Sequence, residues 1–119
     1  MREMNRAPHE QEALFGGTGT VAVWDLLGRL RAPPFSAVLS CELEAGGAVG
    51  KHVRQRDPEI LIGLGGDGEA EVDEVAHPLV AGAVIYLGHG QTLSIRNCSD
   101  AEPLRYFIIR AQTEAQTKA

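Results

Sequence analysis

From Thr20 onward the chain alternates short apolar runs with turn signals. The stretch TVAVWDLL is β-branched and apolar, and FSAVLSCELE places Ala37, Leu39, Cys41 and Leu43 at every second position. Such alternation is typical of a β-strand with one buried face. Clusters such as AGG and GGDG separate the runs and indicate tight turns. The pattern therefore predicts strands, and no stretch after Thr20 offers an amphipathic helix.

The strand-like runs recur at intervals of about ten residues, a spacing typical of all-β sandwiches and barrels. They are TVAVWDLL, FSAVLSCELE, AVGKHVRQ, EILIGLGG, EAEVDEV, AVIYLG, TLSIRN and LRYFIIRAQ. We interpret the acidic run EAEVDEV as an edge strand, because charge there discourages unwanted pairing. HPLVAG is interpreted as a turn. The prediction is an all-β fold of about eight strands.

The 119 residues have the length of one domain. Residues 1–18 form a polar N-terminal segment in which EQEALF predicts a short helical turn. Residues 19–112 are predicted to form the β-barrel, and residues 113–119 a polar tail. The sequence thus predicts one β domain with polar ends.

Charge and composition exclude several classes of partner. The formal net charge is −5 and no basic block occurs, which argues against nucleic acid. No apolar run approaches the roughly 20 residues that span a bilayer. The N-terminus lacks the apolar core of a signal peptide, so we expect a cytoplasmic protein without a membrane partner. Cys41 and Cys98 are far apart and are interpreted as free thiols.

Two segments match the spacing of known motifs. Gly46, His52, Arg54, Glu59 and Gly66 match every interval of G-x5-H-x-H-x4-E-x6-G, with arginine in place of the second histidine. This first pattern resembles the first motif of the cupins.

The second segment matches in the same way. Gly82, Gly88, Gly90, Leu93 and Asn97 match every interval of G-x5-P-x-G-x2-H-x3-N, with glycine in place of proline and leucine in place of histidine. Together the motifs resemble a small single-domain cupin of the conserved-barrel type, over roughly residues 35–110. The resemblance implies a double-stranded β-helix, or jelly-roll barrel.

The resemblance also implies a site inside the barrel. In the family, three histidines and a glutamate converge there on iron, manganese, zinc, nickel or copper. Here His52 and Glu59 remain as metal ligands, while Arg54 and Leu93 replace the other two. A divalent metal usually takes at least three protein ligands. We therefore expect a former metal site without a bound metal, unless His89, Gln91 or Cys41 completes it.

Without a metal, the same positions predict a different pocket. Arg54 and Glu59 would form a salt bridge, because a buried carboxylate needs a partner. His52, Leu93 and Tyr106 are the further candidate ligand-binding residues. An equally good interpretation is that His52, Arg54 and Glu59 form a polar cluster that only fills the barrel interior and has no function.

Three functions stay open at this point. The first is a metal-free barrel that binds or senses a small molecule. The second is a metal-dependent cupin enzyme of dioxygenase, isomerase, epimerase or lyase type, and the third is a non-catalytic structural module. Cupin folds host all three, so whether the protein is an enzyme stays undecided. The runs TVAVWDLL and LRYFIIRA are apolar on both faces and predict a homodimer.

Overall fold

A computed structural model describes residues 7–54 and 56–112. The described residues form ten strands and one short 3₁₀ helix at Leu14–Gly16. The strands are β1 (His9–Glu12), β2 (Thr20–Asp25), β3 (Phe35–Leu43), β4 (Ala48–Val53), β5 (Glu59–Gly65), β6 (Gly68–Val72), β7 (Val75–Leu79), β8 (Val84–Leu87), β9 (Thr92–Asn97) and β10 (Leu104–Ala111). No helix in these ranges is long and apolar enough to cross a bilayer.

The strands form two antiparallel sheets. The six-stranded sheet has the order β1-β2-β3-β10-β5-β8, and the four-stranded sheet has the order β4-β9-β6-β7. Alternate apolar residues of both sheets meet in one core, in which Leu43, Leu61, Leu93 and Tyr106 are almost fully buried. This is the all-β jelly-roll arrangement that the sequence predicts.

The polar N-terminal segment contributes a strand that the sequence did not predict. Strand β1 pairs with β2, with His9 opposite Val23 and Glu12 opposite Thr20. Its sequence, HEQE, has no apolar alternation because it lies at the edge of the sheet, where most of its side chains are exposed. The helical turn predicted in EQEALF was mostly wrong, because Glu10–Glu12 belong to β1 and only Leu14 and Phe15 lie in the 3₁₀ helix, where Phe15 has a positive φ.

The interpretation of HPLVAG as a turn was right for residues 80–82 and wrong for the three residues before them. His77, Pro78 and Leu79 belong to β7, which pairs with β6 through a turn at Asp73 and Glu74. Both turn residues have positive φ, 50° and 71°, although neither is glycine. Strand β7 is the edge of its sheet, where the missing N–H of Pro78 costs little. The acidic strand β6 lies between β9 and β7 and is not an edge.

The glycines of the two motifs lie at turns between strands. Gly46, Gly66, Gly82 and Gly90 all have positive φ. At Gly66 a side chain is also excluded sterically, since an added Cβ would lie 2.6 Å from the carbonyl oxygen of Pro103. The motif spacing is therefore explained by chain reversals that only glycine adopts without strain.

Candidate functional site

A cavity of about 320 Å³ lies between the two sheets. Its wall is mostly hydrocarbon, with a few polar side chains, of which Arg110 contacts Glu59 directly. The lining residues are Gln11, Leu14, Phe15, Val21, Val23, Leu39, Cys41, Val49, His52, Glu59, Leu93, Ile95, Tyr106, Ile108 and Arg110. The volume lies at the lower end of the roughly 300–1,000 Å³ of small-molecule pockets. Four of the five predicted ligand-binding residues line the cavity. The fifth, Arg54, is not in the wall but donates a hydrogen bond to Glu59.

A β-bulge turns His52 into the cavity. Val49 pairs with Ile95 and His52 pairs with Leu93, so β4 has one more residue than β9 between the two paired positions. This extra residue lets both Val49 and His52 face the cavity. The register sets His52 directly opposite Leu93. His52 Nδ1 lies 3.0 Å from the carbonyl oxygen of Gly50 and donates to it, which leaves Nε2 for another partner.

The 3₁₀ helix covers His52 from the side of the N-terminal segment. The Phe15 ring stacks on the imidazole with a centroid distance of 3.9 Å and an interplanar angle of 13°. The backbones approach so closely that a Cβ on Gly50 would lie 2.0 Å from the carbonyl oxygen of Phe15. Glycine in the bulge therefore lets the N-terminal segment form part of the cavity wall.

Glu59 lies at the centre of a charged cluster with Arg54 and Arg110, which we call the polar end of the cavity. The carboxylate is 1% exposed, and one of its oxygens, Oε1, accepts hydrogen bonds from two arginines. Arg54 Nη1 lies 3.1 Å from it and Arg110 Nε lies 2.9 Å from it. Arg110 is the direct cross-strand partner of Glu59 in the pairing of β10 with β5. Two guanidinium groups thus neutralise one buried carboxylate, with one positive charge in excess.

Arg54 is held in place by the loop before β9. Its backbone N–H donates to the carbonyl of Gln91, and its carbonyl accepts from the N–H of Gly90. The side chain is 18% exposed, and its Nε is buried without a hydrogen-bond partner among residues 7–54 and 56–112. Such an unpaired buried donor is uncommon in folded proteins and requires an explanation.

Two weakly acidic groups line the cavity beside Glu59. Burial raises the pKa of the Cys41 thiol to about 12, against a lowering by Arg110, and the Glu59 carboxylate adds to the increase. Burial likewise raises the pKa of the Tyr106 hydroxyl, with smaller contributions from Cys41 and Glu59. Both groups are therefore neutral at physiological pH. Tyr106 has no hydrogen bond to any residue in 7–54 or 56–112, so its hydroxyl is available to a ligand.

The raised pKa of Cys41 predicts slow alkylation. A pKa of about 12 leaves about one thiol in ten thousand as the reactive thiolate at about pH 8. We expect iodoacetamide to modify the exposed Cys98 in the folded protein and to leave Cys41 intact, as peptide mass spectrometry would show. Both cysteines should react in denaturant. Comparable rates at Cys41 and Cys98 in the folded protein would contradict the burial argument.

Sequence reasoning missed Arg110 and the N-terminal part of the wall. Continuing the two-residue period from Tyr106 through Ile108 leads to Arg110, so the alternation of β10 contained the signal. Gln11, Leu14 and Phe15 had no comparable signal, because the sequence before Thr20 carries neither motif nor alternation.

The residues at the four motif positions do not fit a divalent metal. His52 is oriented as a ligand would be, with Nδ1 bound to a carbonyl and Nε2 available. However, Glu59 already accepts from Arg54 and Arg110, and the residue opposite His52 is the hydrocarbon Leu93. A metal needs anionic or neutral donors that no cation occupies, usually three or more. The chemistry of this donor set favours a guanidinium–carboxylate cluster.

The three candidate rescue ligands do not complete the set. His89 is exposed, and Gln91 accepts from the N–H of Gly88 and donates to Asp73. Cys41 lines the cavity, but a metal there would have to displace the proton that burial favours on the thiol. None of the three is therefore an additional donor that is ready beside His52 and Glu59.

The two sheets and their interior cavity define a small all-β jelly-roll domain with an internal pocket. Several similar solved structures are cupins, so the chain has the fold of a small cupin domain. A predicted oxalate decarboxylase from Thermotoga maritima superposes with a TM-score of 0.82 at 22% identity, over 94% of this chain and 97% of that chain.

Two further structures show the same fold. The cupin domain of Cnp3 from Schizosaccharomyces pombe has a TM-score of 0.73 at 19% identity, over 92% of this chain and 72% of that chain. A cupin 2 conserved barrel domain protein from Salinispora arenicola has a TM-score of 0.66 at 24% identity, over 82% and 80%. No family model and no curated protein matches the chain.

Proposed function

We propose that this protein is a metal-free cupin-fold domain that binds or senses a small molecule in the cavity between its sheets. The observation that carries the proposal is the Glu59 carboxylate, which is buried and held by Arg54 and Arg110 at the end of an otherwise apolar cavity. Apolar walls with a few convergent polar groups are typical of small-molecule sites. The protein is expected to work in the cytoplasm.

A metal-dependent enzyme is less well supported. Two of the similar structures are named as enzymes, a predicted oxalate decarboxylase and a sugar phosphate isomerase from Silicibacter pomeroyi. Their likeness at 22% and 18% identity concerns the fold, and function depends on the residues of the site. Here Arg54 and Leu93 stand at two of the four motif positions. The site residues therefore favour binding without a metal.

The proposal is tested by metal analysis together with ligand titration. Protein purified without chelators should contain substoichiometric metal. It should also bind at least one of the six-carbon probes hexanoate, hexanol and hexylammonium in a one-to-one ratio by calorimetry. The three probes differ in charge but have hydrocarbon chains of similar length. Stoichiometric metal, or no binding of any probe to the folded protein, would overturn the proposal.

A variant that fills the cavity controls for binding at the surface. Ile108 lines the cavity on β10, so Ile108→Trp should abolish probe binding while the circular dichroism of the β fold is kept. Leu39→Trp, on β3, serves the same purpose if the first variant fails to fold. Probe binding that persists in a folded variant would place the probes elsewhere and contradict the proposed site.

We further propose that two copies pair through the outer face of the six-stranded sheet. Cross-strand register places Tyr86 beside Ile60 and Ile60 beside Ile109, while Val84 lies beside Ile62. Val84 and Tyr86 are 67% and 63% exposed on the edge strand β8. A contiguous exposed apolar face of this kind is typical of protein interfaces. A second copy would cover it with an identical apolar face.

The dimer is tested by introducing charge into this face. Val84→Lys combined with Tyr86→Lys should shift the mass measured by light scattering from twice 12.7 kDa to 12.7 kDa at micromolar concentration. Val75→Lys is the matched control, because Val75 is 57% exposed on the other sheet and should leave the dimer intact. A wild-type protein that is already monomeric would refute the pairing.

A further inference from the structure

We infer that the cavity selects a small organic monoanion, a carboxylate with a hydrocarbon body of about six carbons. The inference deepens the proposed function and rests on it. It follows from the charge of the polar end, from the unpaired donors there, and from the apolar character of the remaining wall.

The charge at the polar end is unbalanced. Arg54 and Arg110 carry two positive charges against the single negative charge of Glu59. The net charge of the chain, −5, does not offset this excess locally, because charges exposed at the surface are screened by salt within about 8–10 Å. One further negative charge would therefore neutralise the cluster, and a monoanion carries one negative charge.

The two guanidinium groups also have donors to spare. Each guanidinium carries five N–H donors, and the described residues account for one bond from each to Glu59 Oε1. Arg54 is not in the cavity wall, so its buried Nε, which has no hydrogen-bond partner among residues 7–54 and 56–112, does not reach a ligand in the cavity. Arg110 lines the cavity and uses its Nε for Glu59, and its two terminal nitrogens have no bond to any of the described residues and are open to a ligand. Two adjacent nitrogens of a guanidinium match the two oxygens of a carboxylate.

Two further polar side chains line the same cavity. They are His52 on β4 and Tyr106, which lies on β10 as Arg110 does. Because the pKa of Tyr106 is raised, its hydroxyl stays protonated and can donate to an anion. These groups are able to complete the hydrogen bonds of a carboxylate that Arg110 holds.

Apart from the Gln11 amide and the Cys41 thiol, the rest of the described wall is apolar. Val21, Val23, Leu39, Ile95 and Ile108 offer hydrocarbon only. At about 30 Å³ for each water in the liquid, a volume of about 320 Å³ corresponds to roughly ten non-hydrogen atoms. An aliphatic carboxylate of about six carbons fits this volume and buries its chain against these side chains. A bare phosphate would leave the apolar wall uncovered and carries more charge than the cluster lacks.

The experiment compares the three six-carbon probes with inorganic phosphate by calorimetric titration of the full chain. Hexanoate should bind about tenfold or more tightly than hexanol, because hydrogen bonds between charged groups are stronger than neutral ones. Hexylammonium should bind weakest, since it meets the excess positive charge. Phosphate alone should bind more weakly than hexanoate.

Variants of the cluster should move this preference in opposite directions. Arg110→Leu should remove most of the preference for hexanoate over hexanol. Glu59→Gln should increase hexanoate affinity by about tenfold, because both guanidinium groups lose their anionic partner. Arg96→Leu is the matched control, as Arg96 forms an exposed ion pair with Glu69 on the other sheet and should change nothing. Arg110→Gln replaces Arg110→Leu if the latter does not fold, because it removes the charge while keeping a polar side chain.

The possible outcomes separate the inference from the function on which it rests. If hexanol or hexylammonium binds as tightly as hexanoate, the anion preference is wrong while the proposed binding function stands. If phosphate binds more tightly than hexanoate, the ligand class is wrong. A hexanoate preference that Arg110→Leu leaves unchanged would also overturn the inference. If none of the six-carbon probes binds the folded protein, the proposed function fails as well.

Discussion

Replacing Glu59 by leucine should lower the free energy of unfolding by about 2–4 kcal/mol, because it leaves two guanidinium groups in the interior without their anion. Arg54 is 18% exposed and Arg110 31% exposed, so water reduces the loss below that of a fully buried pair. Glu59→Gln should cost less, since an amide oxygen still accepts hydrogen bonds. Chemical denaturation followed by circular dichroism measures the difference.

Glu69→Leu is the matched control for this substitution. Glu69 also pairs with an arginine across two strands, but the side chains of Arg96 and Glu69 are 62% and 36% exposed. Exposed ion pairs typically contribute less than about 1 kcal/mol. If Glu59→Leu destabilises the protein no more than Glu69→Leu does, the buried cluster does not contribute to stability as argued here.

The strands and the location of the pocket could be predicted because they depend on local signals. Alternation identified β3 and β5, a continuous apolar run identified β10, and the spacing of the motif glycines reflected turns with positive φ at Gly46 and Gly66. His52, Glu59 and Leu93 were identified because each holds its place in one of the two cupin motifs. Each of these signals lies within one strand or within one motif that covers two consecutive strands and the turn between them.

The remaining features depend on pairing between distant segments. The β-bulge that turns His52 inward is a property of the register between β4 and β9. The sharing of Glu59 Oε1 by two arginines requires the pairing of β10 with β5, more than 40 residues apart in the chain. The contact between Arg54 and Glu59 consists of one hydrogen bond, and Arg110 adds a second bond to the same oxygen. Charge and alternation therefore indicated a pocket but not its second arginine.

The largest expected change concerns metal affinity. Arg54→His combined with Leu93→His places imidazoles at the two replaced motif positions, so that four donors with His52 and Glu59 are available. In the wild-type protein a divalent ion would lie close to the guanidinium of Arg54, which cannot lose its proton. At an effective dielectric near 20 this repulsion is on the order of several kcal/mol. We therefore expect the wild type to bind zinc at least about a thousandfold more weakly than the double variant, since about 1.4 kcal/mol corresponds to a factor of ten.

Arg110 makes the double variant an incomplete restoration. It would still donate to Glu59 Oε1 over 2.9 Å and would still place a positive charge beside the ion. Adding Arg110→Leu should therefore increase zinc affinity further in a calorimetric titration, whereas adding Arg96→Leu should not. Zinc affinity should therefore rise from the wild type to the double variant and again to the triple variant. This order distinguishes the effect of Arg54 from that of Arg110. If the wild type binds zinc as tightly as the double variant, another side chain must already complete the site and the charge argument is wrong. If the triple variant gains nothing over the double, Glu59 is free to ligate despite Arg110, and the cluster then depends on Arg54 alone.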